Sequence, residues 1–182
     1  MRKSLALLIL VLSSNTAFAG DLRVTLADRG AITLNVPTGW IERVSRSKPD
    51  IPPTIHLLPK SGKSFEVLVT PIRKMPDNAK PATSETVRAS VKKSADDAKS
   101  QAVEKEIVVV DFKGSSGFGS YFSATDRAPE PGGYKYLTQG IMVDGDVSVA
   151  FTILANGDAT PIVKQALEVI KTARLDRGES GK

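Results

Sequence analysis

Residues 134–154 read YKYLTQGIMVDGDVSVAFTIL, two runs of strand-forming residues that meet at Asp144-Gly145. A two-residue hairpin turn of the primed type needs positive φ, which glycine supplies without a steric penalty. The spacing therefore predicts an antiparallel hairpin of strands 134–143 and 146–154. Working back along the chain, SYFSAT (120–125) alternates in the same way and EIVVVDF (106–112) is apolar on consecutive positions. The alternating run extends the meander. The continuous one reads as a strand covered on both faces.

Two shorter pairs open the chain. LRVTL (22–26) and AITLNV (31–36) flank Asp28-Arg29-Gly30, and TIHLL (54–58) and FEVLVT (65–70) flank Ser61-Gly62-Lys63. Both read as hairpins. Pro37-Thr38-Gly39 is a turn delivering Trp40, the single tryptophan, which reads as a core anchor at a strand end rather than a stacking platform. Residues 42–53 are polar with Pro49, Pro52 and Pro53, and 71–81 carry three prolines, so both stretches read as loops.

The period changes at 83–102. Val87, Val91, Ala95, Ala98 and Ala102 recur at helical spacing, with Thr83 as N-cap and Glu85 in the first turn. Lys92–Asp96 and Lys93–Asp97 lie four apart on a solvated face. A second helix is expected from Thr160-Pro161, read as N-cap and first helical residue, with Ile162, Val163, Ala166, Leu167, Ile170 and Ala173 as its apolar stripe. Lys171, Arg174 and Arg177 then sit where the helix dipole favours cations, and residues 176–182 read as a frayed tail. Strand pairs, a helix, four strands and a helix make an α+β domain, mostly antiparallel sheet packed with two main helices.

Arg2 and Lys3, the apolar run Leu5–Leu12 and the small residues of Ala17-Phe18-Ala19 have the layout of a signal peptide, 1–19, cleaved before Gly20. The apolar run is short of the roughly 20 residues that cross a bilayer core, so no stable membrane anchor is expected after cleavage. Residues 20–182 then form a single domain exported to the periplasm or beyond. With no cysteine there is neither a disulfide nor a lipid-bearing thiol. The formal charge of +5 is spread along the chain, which argues against nucleic acid as a partner.

The glycines of FKGSSGFGSYF (112–122) invite a nucleotide-site reading, which fails on chemistry. A phosphate loop needs GxxxxGK and Ser or Thr before a helix; here no lysine follows and the next element alternates as a strand. Phe122 also stands where a dinucleotide fingerprint wants its third glycine. No cofactor is expected. His56 is the only histidine, a lone polar residue in an apolar strand, and reads as a strand histidine rather than a catalytic base. One histidine without cysteine serves zinc poorly, and Asp144 and Asp146 are explained by their turn, so no metal is expected.

The opening hairpin ending in VPTGW (36–40), the helix at 83–102, GFGSYFSAT (117–125) and the closing ATPIVKQALEVIKTARL (159–175) together resemble the α/β/α sandwich of PsbP, the DcrB-like bacterial envelope proteins and the Mog-type Ran-binding proteins. The resemblance spans residues 20–182 and implies the fold. It assigns no functional residue, because its members do unrelated things.

With an export signal and a sparse catalytic inventory, the leading expectation is a non-enzymatic periplasmic protein that binds or assists another envelope protein. A small-molecule or lipid carrier is the alternative. A hydrolase using carboxylates, or a serine such as Ser116, is a further one. Tyr134 and Tyr136, beside the loop DRAPEPGG (126–133), are the candidate partner contacts, expected on one sheet face because alternate strand residues share a side.

Overall fold

The computed structural model describes residues 18–26, 30–48, 51–73 and 81–176. Residues 1–17 of the expected signal peptide, Asp28 and Arg29 of the first expected turn, Pro49, residues 74–80 of the second expected loop and the expected tail from Arg177 lie outside the described residues. Strands β1 (Phe18–Thr25) and β2 (Ala31–Pro37) form the opening hairpin. They do not join the main sheet. With β10 (Arg174–Asp176) they make a three-stranded sheet of order β1-β2-β10.

The main sheet has seven strands: β3 (Trp40–Ser45), β4 (Thr54–Pro59), β5 (Phe65–Arg73), β6 (Val109–Lys113), β7 (Phe118–Thr125), β8 (Tyr136–Asp144) and β9 (Val147–Ala155). Its order is β3-β4-β5-β9-β8-β7-β6, antiparallel at every pairing. After β5 the chain crosses to the far edge through α1 (Ser84–Ala98), and the meander returns β9 to lie beside β5. The last hairpin turns through Gly145 and Asp146, with Gly145 at φ 59° and Asp144 paired with Val147.

Side chains of β9 alternate strictly. Val147, Val149, Phe151, Ile153 and Ala155 are buried and enter the larger core with Ile55, Leu57, Val67 and Val69. That core is closed by α2 (Ala159–Lys171), through Ala166, Leu167, Val169 and Ile170, and by Ile32 and Leu34 of β2. A smaller core on the opposite face joins Val91 and Ala95 of α1 to Val109, Phe122 and Ala124. The layers are thus α1, main sheet, then α2 with the small sheet. Trp40 is buried against Phe65, ring centroids 4.6 Å apart, and is a core anchor.

Several expectations are corrected. Residues 42–45, expected as the start of the loop 42–53, belong to strand β3; an edge strand buries little beyond Trp40, so no apolar alternation marked it. β5 continues through Pro71 to Arg73, past the end of its pairing with β4. The strand after α1 is not covered on both faces: β6 is the sheet's edge, with Val110 41% and the preceding Val108 70% exposed. α1 ends at Ala98, and Ala102 forms an isolated bridge to Asp126.

α2 begins two residues earlier than expected. Asp158 is its N-cap, its carboxylate accepting from the Thr160 N–H at 3.2 Å. Pro161 still falls in the first turn, where a missing N–H costs no helical bond. α2 stops at Lys171, so Arg174 is in β10 and not at a helix end, and Asp176 is strand rather than frayed tail.

α1 is fixed at its start by Thr83, whose hydroxyl accepts from the Thr86 N–H while Thr86 Oγ1 accepts from the Thr83 N–H. Further along, Arg88 Nη1 donates to Asp111 of β6 at 2.7 Å, and the buried Ser120 hydroxyl donates to the same carboxylate at 2.7 Å. The Ser120 bond first, and Arg88 second, hold the Asp111 carboxyl below its usual 3.8. A carboxylate whose pKa falls on folding stabilises the native state above its unfolded pKa and loses that contribution as pH drops through the folded value. Asp111→Asn is therefore expected to flatten the stability profile below pH 3.8 and leave its shape near neutrality unchanged, as read by urea unfolding across pH.

Candidate functional site

The two larger of the described clefts lie on opposite faces of the main sheet. The first lies between α2 and strands β7 and β8 and has a volume of about 520 Å³. Its floor follows from the register: Ser123 faces Thr138, Thr125 faces Tyr136, and Tyr121 faces Gly140. The Ser123 and Thr138 hydroxyls are 2.7 Å apart. Val163, Leu167, Lys164 and Lys171 of α2 form the wall. At one end Glu104 accepts from the Thr125 N–H at 2.8 Å and hydroxyl at 2.7 Å; burial raises its pKa, but these bonds outweigh it and hold the carboxyl low.

The floor runs on into the exposed edge. Val110 of β6 is the direct cross-strand partner of Tyr121, whose ring lies 6.0 Å from that of Phe112. Among the described residues no strand pairs beyond β6, so one row of its backbone N–H and C=O groups has no described partner strand.

The second cleft, about 470 Å³, is lined by Arg43, His56, Leu58, Lys63, Glu66 and Tyr134 among others. Since Ile55 and Leu57 enter the α2-side core, His56 points to the other face. On this face α1 packs mainly on β6, β7 and β8. There Ser45 Oγ is 2.9 Å from His56 Nε2, and His56 Nδ1 is 2.9 Å from Glu66 Oε1. Burial, and then the charge of Glu66, raise the pKa of the Tyr134 hydroxyl.

The two tyrosines are separated, contrary to the expectation of a shared face. β8 starts only at Tyr136, which faces α2 under the Lys135 ammonium, 5.6 Å from its ring centre. Tyr134 precedes the strand and turns toward Glu66. Strand alternation does not govern a residue outside the strand.

Ser116 donates to Asp144 at 2.7 Å across the loop, far in sequence from the lone histidine and not paired with it. The glycine-rich loop itself has a structural role. Ser115 donates from both its N–H, at 2.7 Å, and its hydroxyl, at 3.0 Å, to the Lys171 carbonyl at the end of α2. The loop thus meets the negative pole of a helix, the wrong end for a phosphate. A side chain at Gly114 would press on that carbonyl at 3.0 Å. Among the described residues no three His, Cys, Asp or Glu side chains gather as metal ligands, and no helix is long and apolar enough to cross a membrane.

A seven-stranded antiparallel sheet between α1 and an α2-plus-small-sheet layer is a PsbP-like α+β sandwich. The chain is similar to the solution structure of cyanobacterial PsbP (CyanoP) from Synechocystis, with 12% identity, TM-score 0.55, and coverage of 89% of this chain and 96% of that one. It also matches a crystal structure from Bacteroides thetaiotaomicron at 17% identity and TM-score 0.49, covering 83% of this chain and spanning 47% of that one. No family model matches, and no curated protein matches. At these identities the likeness concerns the fold alone.

Proposed function

We propose that this is an exported protein of the bacterial envelope, periplasmic or secreted, that binds or assists another envelope protein through the α2-side groove and the adjoining edge of β6. The observation that carries this reading is the continuity of the groove floor with a free strand edge. Tyr121 and Tyr136 offer rigid aromatic surface, and Val110 extends it outward. An extended partner segment would add its main chain to β6 and set alternate side chains beside Val110 and Phe112, next to Tyr121, the usual logic of strand addition.

A carrier role is the second reading. The groove volume of about 520 Å³ falls within the range of small-ligand sites. Its mixed polar and apolar lining and open side favour a protein segment over an enclosed ligand.

The test places a photo-crosslinking residue at Val110 in cells, with the exposed Lys92 of α1 as the control position. Discrete adducts are expected from position 110 and not from 92. Val110→Asp should weaken capture at least about tenfold, about 1.4 kcal/mol, because it sets a charge beside Tyr121 where the partner strand would dock. The melting temperature should change little, since the side chain is already 41% exposed. Equal adducts from both positions would remove the protein-binding reading. A small molecule co-purifying in native mass spectra, without protein adducts, would establish the carrier instead.

A further inference from the structure

We propose that Ser45, His56 and Glu66 form a serine-nucleophile relay that hydrolyses carboxylic esters carrying an acidic group. It lies on the sheet face opposite the groove and does not depend on the binding role. Three adjacent strands supply one residue each. Arg43 is the cross-strand partner of His56, Ser45 the partner of Thr54, and Glu66 sits one step diagonal to His56 on β5. A diagonal of polar side chains on one face is what antiparallel register permits; the order of atoms along it is what points to chemistry.

Glu66, ionised, only accepts, so the Nδ1 atom 2.9 Å away carries the imidazole proton. Nε2 of the neutral ring is then an acceptor, 2.9 Å from the Ser45 hydroxyl. This is the tautomer and the sequence of contacts in which a base takes a serine proton while an acid orients the base. The rival acceptor for that hydroxyl, the Thr54 carbonyl, is farther, at 3.5 Å. His56 and Glu66 side chains are 27% and 25% exposed, sheltered enough to hold their geometry and open enough for a substrate.

The cleft beside the relay selects the substrate class. Arg43 and Lys63 line it, with Leu58 and Phe65 as apolar wall. An ester with an apolar acyl chain and a nearby carboxylate or phosphate matches that lining. Ser45 Oγ would bond to the carbonyl carbon as its proton passes to Nε2, with a cleft cation facing the oxyanion. Collapse breaks the ester C–O bond, and Nε2 returns the proton to the departing alkoxide. Water, deprotonated by Nε2, then cleaves the acyl-serine. The net change is ester plus water to acid plus alcohol.

A fluorophosphonate probe on the purified protein, read by intact mass and peptide mapping, tests this. A single adduct on Ser45 is expected, absent in Ser45→Ala and slowed at least about tenfold in His56→Asn. Its rate should rise with pH, and His56→Asn should flatten that rise. Glu66→Gln should slow labelling with the pH dependence retained, which covers the case in which His56→Asn fails to fold. Absence of label, or labelling of Ser45 at the same rate in His56→Asn and Glu66→Gln, would overturn the proposal and leave an ordinary surface ladder. Crosslinking from Val110 should be unaffected by Ser45→Ala, so the two proposals fail separately.

Discussion

Phe151→Ala is expected to cost about 3–5 kcal/mol, the range for truncating a buried aromatic in a packed core. Phe151 is 1% exposed at the centre of β9, and its ring lies 6.2 Å from that of Phe112 in an edge-on arrangement. It also covers Gly140, its cross-strand partner on β8. Removing the ring leaves a cavity bounded by strands on both sides and by α2 above, where backbone relaxation is limited. For a domain of this size the melting temperature should drop on the order of 10 °C. Calorimetry of the variant measures this, and a loss of under ~1 kcal/mol would show that the core re-closes around the gap.

The second large effect comes from adding atoms. A Cβ at Gly140 would stand 2.4 Å from the Ser120 carbonyl, 2.5 Å from the Phe151 ring and 2.7 Å from Tyr121 Cβ. Two of these neighbours are held by the sheet and cannot swing aside. Gly140→Ala should therefore cost about 1–3 kcal/mol, the usual penalty for overpacking, despite alanine's lower unfolded-state entropy. The two changes share a contact, so they should not add. In the double variant the missing ring removes one clash of the three, and the combined loss should be smaller than the sum. Additivity within about 0.5 kcal/mol would show that Gly140 and Phe151 do not share strain.

Legibility in the sequence followed burial. The hairpin at Gly145, the alternation of β9 and the Thr83 cap were readable because each rests on local chemistry or on a face that is fully covered. The two edges of the sheet were not. β3 hides one large residue, Trp40, and then shows polar side chains, so it resembles a loop. β6 fails in the opposite sense: Ile107 to Val110 are as apolar as a central strand, yet among the described residues no strand pairs beyond β6. Composition records how apolar a strand is and not where in the sheet it lies.

The candidate sites inherit that limit. His56 was visible as the lone histidine, but Ser45 and Glu66 become its partners only through a register that begins with recognising β3. An edge strand beginning at Trp40 was the signal that could have found them. Tyr121 and Val110 likewise meet only once β6 is paired with β7. Tyr134 and Tyr136 parted because the strand starts two residues later than alternation assumed.

The small sheet ties together segments far apart in the chain. β10 pairs with β2, and Arg174 meets Asp21 across 153 positions, with Arg23 reaching Asp176 over the same separation. Contacts so distant in sequence are slow to form, because a long loop must be ordered before they repay it. The opening hairpin has no third strand until residues 174–176 reach it. Closure of that sheet thus waits for residues 174–176, and a chain that lacks them holds Ile32 without Leu175 beside it.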